Sequence, residues 1–177
     1  YTMPRMKEYL ETNGPWSQLV ELQNISLKEL VHRGKIDLSP RVEVVPFLVP
    51  HRDEYSETAG YFIEAFGTKI VFIPDIDKWE KWERSIVEII KEVDYAFLDA
   101  TFYSGEEINT RDISEIPHPF VIESMAVFDS LPASEKKKIH FIHFNHTNPV
   151  LDTSSAAYKK VIEKGYRVAR YGQIIIL

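Results

Sequence analysis

The segment that decides the fold class is KIVFIPDIDKW, residues 69–79. Its first half is a short apolar run that stops at Pro74 and Asp75, which is typical of a buried strand. After the run, apolar residues recur at helical spacing instead. These residues are Trp79, Trp82, Ile86, Ile89 and Ile90. A strand that gives way to a helix in this manner indicates an α/β fold.

The pattern on both sides of this segment predicts a mixed sheet in a single domain over residues 1–177. The expected strands are 41–49, 58–66, 69–73, 94–98, 138–144, 167–169 and 174–177. The expected helical segments are 4–11, a turn at 26–32, the run from 79 to 90, 119–130 and 154–164. Residues 103–117 are polar and irregular. The strands up to 73 follow one another directly and should be antiparallel, whereas those from 69 to 144 alternate with helices that lie outside the sheet.

Composition narrows the classes of function. The 177 residues are 44% hydrophobic and 27% charged, which is typical of a soluble globular protein, and no apolar run approaches a membrane-spanning length. The chain has no cysteine, which excludes disulfides, thiolate metal sites and cysteine nucleophiles within it. The net charge of −6 makes nucleic acid an unfavoured partner, because phosphate contacts require a basic surface.

Ligand-type side chains follow four of the expected strands. They are His51, Asp75, Asp99 and His143. Loops at strand ends form the ligand crevice of α/β proteins, and imidazole and carboxylate groups bind zinc, iron or manganese. Taken alone, a residue at such a position is more often part of a hydrogen-bonded turn or a helix cap than a ligand. Only the occurrence of four such strand ends in one chain leaves both interpretations open.

Three histidines at residues 140, 143 and 146 resemble a metal cluster, but strand geometry separates them. Side chains alternate between the faces of a strand, so His140 and His143 should point in opposite directions. We therefore favour His143 as the site residue and His140 as structural. His146 is then a candidate for supporting a ligand or contacting substrate.

At these residues the sequence resembles the metallo-β-lactamase-fold superfamily, and within it the coenzyme PQQ biosynthesis protein B group. Ribonuclease Z shows the same layout more distantly. The matching stretches are 50–61, 72–79, 97–102 and 143–149. The resemblance implies an αββα sandwich of two mixed sheets with helices on both outer faces and a metal site at one edge.

The resemblance also implies roles for single residues. His51, Asp75 and His143 match the later metal ligands of the family, with Asp75 bridging two cations and serving catalysis. Asp99 would orient a ligand by hydrogen bonding. His118 would donate a proton, although it is also compatible with an ordinary position at the start of a helix. The three ligand tips should then lie within about 8 Å of one another, given bond lengths of about 2 Å to each cation.

The function implied is that of a metal-dependent hydrolase that uses a metal-activated water on a small or medium-sized substrate. Zinc is the first candidate for the divalent metal, with iron or manganese as alternatives. Three other functions stay open. They are an iron-dependent oxygenase or hydroxylase of the PQQ-biosynthesis type, a metal-free binding module, and a nuclease, which the net charge disfavours.

The chain departs from the family in one respect, because the motif His-x-His-x-x-His is absent from its 177 residues. We therefore expect the C-terminal part of the fold, incomplete at the N-terminus, without a fully formed dinuclear site. Apolar sheet surface near residues 42–49 should then be covered by an upstream segment, a partner chain or a second copy.

Overall fold

The computed structural model describes residues 1–107 and 116–176. The strands are β1 (Ile36–Ser39), β2 (Val42–Leu48), β3 (Ala59–Ala65), β4 (Thr68–Ile73), β5 (Tyr95–Asp99), β6 (Ile139–Ile142) and β7 (Arg167–Val168). They form one sheet whose strand order follows the chain. Pairing is antiparallel from β1 to β4 and parallel from β4 to β7. The mixed α/β fold class predicted from the sequence is therefore confirmed.

Two helices precede the sheet, and the other helices of the described residues connect its parallel strands. The helices are α1 (Pro4–Thr12), α2 (Trp16–Glu21), α3 (Ile86–Glu92), α4 (Val121–Val127), α5 (Ala133–Lys136) and α6 (Ala156–Glu163). Two of these helices begin at a serine whose hydroxyl caps the first turn. Ser85 accepts a hydrogen bond from the backbone N–H of Glu88, and Ser155 accepts one from that of Tyr158. With nine residues, α1 is the longest helix described, so none of the described helices could cross a bilayer.

The two faces of the sheet differ in what covers them. One face carries the core, where Val71, Ile73 and Leu98 are fully buried beneath α3, α4 and α6. The other face is also apolar, and most of its residues are partly exposed. They lie side by side across the strands. One row is Val44, Ile63, Ile70 and Tyr95, and the next includes Tyr61, Phe72 and Phe97. The described residues thus supply one sheet of the sandwich that the resemblance implies.

Several element predictions were wrong in detail. The helical run from residue 79 is a single 3₁₀ turn, Trp79–Lys81, and α3 begins only at Ile86. Residues 26–32 form no helix, and Glu29 instead bridges to Thr2. Residues 174–176 are not paired as a strand, and residue 177 lies outside the described residues. Part of the irregular segment 103–117, residues 108–115, also lies outside them.

Candidate metal centre

One edge of the sheet collects the candidate residues. Asp99 is the last residue of β5, Asp75 follows β4 by two positions, and His143 comes directly after β6. These strands are parallel, so their carboxyl ends share an edge. β2 runs in the same direction, because it is antiparallel to β3 and β3 is antiparallel to β4, and it leads into His51.

One close pair consists of His51 and Asp75. Nε2 of His51 lies 3.1 Å from Oδ1 of Asp75, and Nδ1 of His118 lies 3.3 Å from the same oxygen. Nε2 of His51 and Oδ1 of Asp75 are both buried, yet neither has a hydrogen-bond partner among the described residues. Buried polar atoms normally find a partner, and two ligands of one tetrahedral zinc ion lie about 3.3 Å apart. The two atoms therefore fit a shared cation.

A larger group surrounds this pair. Asp75, Asp99, His118 and His143 each offer a ligand atom, and these atoms lie within 4.8 Å of one another. His51 adjoins the group through its contact with Asp75. The structure thus places His51, Asp75 and His143 in one group, together with His118 and Asp99, which the resemblance had assigned to proton donation and to orienting a ligand.

Asp99 anchors the group from inside. Its side chain is fully buried, and it accepts hydrogen bonds from the N–H of Ile76 (3.2 Å), the N–H and hydroxyl of Thr101 (2.8 and 2.7 Å) and Nδ1 of His118 (2.8 Å). Burial alone would raise the pKa of Asp99, but its interactions with His118, His143 and Thr101 outweigh burial and lower that pKa. With both oxygens engaged, Asp99 is suited to orienting the histidines.

His143 stands at a bend in the backbone. β6 ends at Ile142, and His143 has a φ of 60°, a left-handed conformation that non-glycine residues seldom adopt. This bend, rather than the alternation of a continuing strand, turns the imidazole toward the site, where Nδ1 lies 3.0 Å from the hydroxyl of Thr101. The nearby carboxylate of Asp99 raises the pKa of His143.

The other two histidines of the 140–146 segment lie elsewhere. His140 is buried on the sheet face opposite the core, against the rings of Tyr95 and Phe97. Burial and the charge of Arg167 lower the pKa of His140 to about 4. His146 is exposed and pairs with Oδ1 of its neighbour Asn145 (3.1 Å), so its supporting role stays a prediction.

The loop that carries His118 is attached to the loop that carries Asp75. Lys78 forms an ion pair with Glu123 (2.6 Å), and its ammonium group lies 4.0 Å from the centre of the Phe120 ring. The same carboxylate of Glu123 accepts the backbone N–H of Phe120 (2.9 Å). These contacts fix the start of α4 beside the site and so hold His118 in position.

Sequence reasoning missed two residues of the site. Thr101 contacts Asp99, His118 and His143 through one hydroxyl. Asn148 is buried and donates to the carbonyls of Ala100 (2.8 Å) and Thr101 (3.3 Å). The sequence offered one signal for each residue, its position relative to a predicted site residue. Thr101 comes two residues after a strand-end aspartate, and Asn148 lies near the end of the stretch that follows His143.

Sequence comparisons identify the family and relatives of this chain. A family model described as "Beta-lactamase superfamily domain" matches residues 1–141. Coenzyme PQQ synthesis protein B from Methylococcus capsulatus is 28% identical over 140 residues, which cover 72% of this chain and 44% of that protein. The same-named protein from Pseudomonas syringae pv. tomato is 24% identical over 96% of this chain and 62% of its own length.

Solved structures show the same fold. Zn²⁺-bound PqqB from Methylobacterium extorquens superposes with a TM-score of 0.78 at 22% identity, covering 99% of this chain and 61% of that one. A diphosphatase from the PhnP family gives a TM-score of 0.60 at 18% identity, over 98% of this chain and 55% of the other. The chain thus spans between 44% and 62% of the length of these four proteins.

Proposed function

Because the chain belongs to the beta-lactamase superfamily domain family, we propose that it acts as a metal-dependent hydrolase on a small or medium-sized substrate. The observation that carries the proposal is the pair of buried atoms, Nε2 of His51 and Oδ1 of Asp75, that face each other at 3.1 Å without a hydrogen bond. Leaving such atoms unpaired costs about 1–3 kcal/mol each, and a bound cation offsets that cost.

His51, Asp75 and His143 are the proposed metal ligands, with zinc as the first candidate and iron or manganese as alternatives. A divalent cation held there would lower the pKa of a bound water, so that a nucleophile is available near neutral pH. Oδ1 of Asp75 is shared by two imidazoles, because it lies 3.1 Å from Nε2 of His51 and 3.3 Å from Nδ1 of His118. Asp75 is therefore the ligand whose loss should weaken metal binding most.

His118 is the proposed proton donor. Asp99 accepts the hydrogen bond of its Nδ1, which holds the ring in place and leaves the second ring nitrogen free to carry a proton. Only 14% of its side chain is exposed, and the edge of the Phe102 ring packs against it. A fixed and largely enclosed imidazole of this kind can protonate a leaving group as the water adds.

A second candidate is a reaction in the synthesis of coenzyme PQQ, because the curated relatives carry the name coenzyme PQQ synthesis protein B. Such a protein could use iron as an oxygenase or hydroxylase, since imidazole and carboxylate ligands suit iron and zinc alike. This candidate differs from the hydrolase in requiring O₂ in addition to the metal.

The test replaces one ligand atom. We expect Asp75→Asn to weaken Zn²⁺ binding by at least about 100-fold, because a neutral amide replaces the shared carboxylate oxygen. The measurement is competition with a chromophoric chelator on the full-length protein. Asp152→Asn is the matched control, because Asp152 is exposed and caps only Ser154.

Activity is measured in parallel on a panel of ester and phosphodiester substrates. The proposal expects hydrolysis that is lost with a chelator, restored by zinc or manganese, and absent in Asp75→Asn. Turnover only with Fe²⁺ and O₂ would support the second candidate. If the wild type holds no metal, the metal-free binding module is the correct interpretation.

A further inference from the structure

The hydroxyl of Thr101 lies at the centre of the site. Its oxygen is 2.7 Å from Oδ1 of Asp99, 3.0 Å from Nδ1 of His143 and 3.3 Å from Nδ1 of His118. A hydroxyl has one proton to donate and accepts through its lone pairs. Which of the three neighbours receives that proton determines where the imidazole protons must be.

The protons can be assigned from the chemistry of the partners. The ionised carboxylate of Asp99 only accepts, so the hydroxyl of Thr101 donates to it. The Thr101 oxygen must then accept from His143, which places a proton on Nδ1 of that ring. His118 likewise keeps its proton on Nδ1, because that atom lies 2.8 Å from the other oxygen of Asp99.

We infer that Thr101 is a positioning residue that fixes His143 as the Nδ1–H tautomer and leaves its Nε2 lone pair free for a cation. Asp99 does not do this by itself, because its oxygen is 3.6 Å from Nδ1 of His143, beyond hydrogen-bond length. Metal ligands are commonly oriented through their second ring nitrogen in this manner. The role in metal binding rests on the proposed function, whereas the tautomer does not.

The backbone around Thr101 is built to keep this contact. The N–H of Ala100 donates to the carbonyl of Ile142 (2.9 Å), and the N–H of Asn145 donates to the carbonyl of Thr101 (2.9 Å). Asn148 adds side-chain bonds to the same turn. The residues before and after His143 are therefore tied to the turn that carries the hydroxyl, so ring and hydroxyl keep their relative position.

The experiment reads the tautomers directly. Long-range ¹H–¹⁵N correlation spectra of the metal-free, full-length protein, labelled with ¹⁵N-histidine, are recorded at alkaline pH, where the imidazoles are neutral. We expect His118 and His143 both to be protonated on Nδ1 in the wild type and in Thr101→Ser. In Thr101→Val, which removes the hydroxyl at constant shape, His143 should shift toward Nε2–H while His118 stays unchanged. The exposed Thr153→Val is the matched control.

Two results would overturn the inference. One is protonation of His143 on Nε2 in the wild type, which needs no variant to fold. The other is an unchanged His143 tautomer in a folded Thr101→Val protein. As a second readout, Thr101→Val should bind Zn²⁺ about 10–100-fold more weakly, with Thr101→Ser restoring the affinity. Failure of the wild type to bind Zn²⁺ would count against the proposed function, while the spectra would still decide the role of Thr101.

Discussion

His140 and His143 are three positions apart, and their surroundings shift their pKa values in opposite directions. His143 lies beside the ionised Asp99, which favours the protonated ring and raises its pKa. His140 is packed between aromatic rings with Nδ1 unpartnered among the described residues, and burial together with Arg167 lowers its pKa to about 4. The same type of side chain therefore has different chemistry at the two positions, because His140 lies on a buried strand face and His143 lies at a backbone bend beside Asp99.

The lowered pKa of His140 predicts a specific loss of stability in acid. The unfolded chain protonates this residue near pH 6.5 and the folded chain only near 4, so its contribution is complete above about pH 6.5 and is lost as pH falls toward 4. Between pH 7 and about 4.5, the free energy of unfolding of the wild type should fall by about 2–3 kcal/mol more than that of His140→Phe. Urea titrations at both pH values measure the difference, and equal losses would show that His140 is not a buried neutral residue.

At the scale of elements, the strands that hold the site could be predicted because they are apolar runs ended by proline or a polar residue. β2, β3 and β6 lie within their predicted ranges, whereas β4 begins one residue earlier than predicted, at Thr68, and β5 ends one residue later, at Asp99. β1 was missed, since Ile36–Ser39 alternates with polar residues and three of its four residues are exposed. The helix expected from residue 79 was too long, because Ser85 caps α3 and starts it separately from the preceding 3₁₀ turn.

The candidate site was predictable only in part. Strand ends located His51, Asp75, Asp99 and His143, because parallel strands deliver their carboxyl ends to one edge. The contributions of Thr101 and Asn148 depend on how two loops fold against each other. Contacts of that kind carry no periodicity in the sequence, and a threonine or asparagine in a loop is ordinary.

The loop that follows β6 therefore provides a test at this scale. Asn148→Ala removes two donated hydrogen bonds and the acceptor for the N–H of Val150, all in the interior. We expect the free energy of unfolding to fall by about 2–3 kcal/mol. Asn145→Ala, which loses bonds to Thr147 and His146 that both lie near the surface, should cost less than about 0.5 kcal/mol. Urea unfolding measures both free energies. Similar losses in the two variants would show that the buried hydrogen bonds of Asn148 do not stabilise this loop.

At the scale of the whole molecule, the two faces of the sheet differ in their cover. Helices pack on one face, and the opposite face, which we call the open face, has no such cover among the described residues. Helices bury the centre of one face, whereas the apolar rows through Ile63 and Phe72 on the other face stay partly exposed. Apolar side chains left partly exposed in neighbouring rows of a sheet favour association with another surface. Because the candidate site lies at the edge of this sheet, whatever covers the open face also adjoins the proposed metal ligands.

The open face predicts how the 177-residue polypeptide behaves when it is produced by itself. We expect self-association at micromolar concentration, since two copies can bury these rows against each other. The double variant Ile63→Lys/Phe72→Lys should shift the chain toward monomer, because two charges per copy would have to be buried at the interface. Leu151→Lys/Ile162→Lys is the matched control, with two exposed apolar residues replaced outside the sheet. Light scattering coupled to size exclusion reports the mass, and circular dichroism checks that each variant is folded. A monomeric wild type, or equal dissociation in both double variants, would show that this face does not drive association.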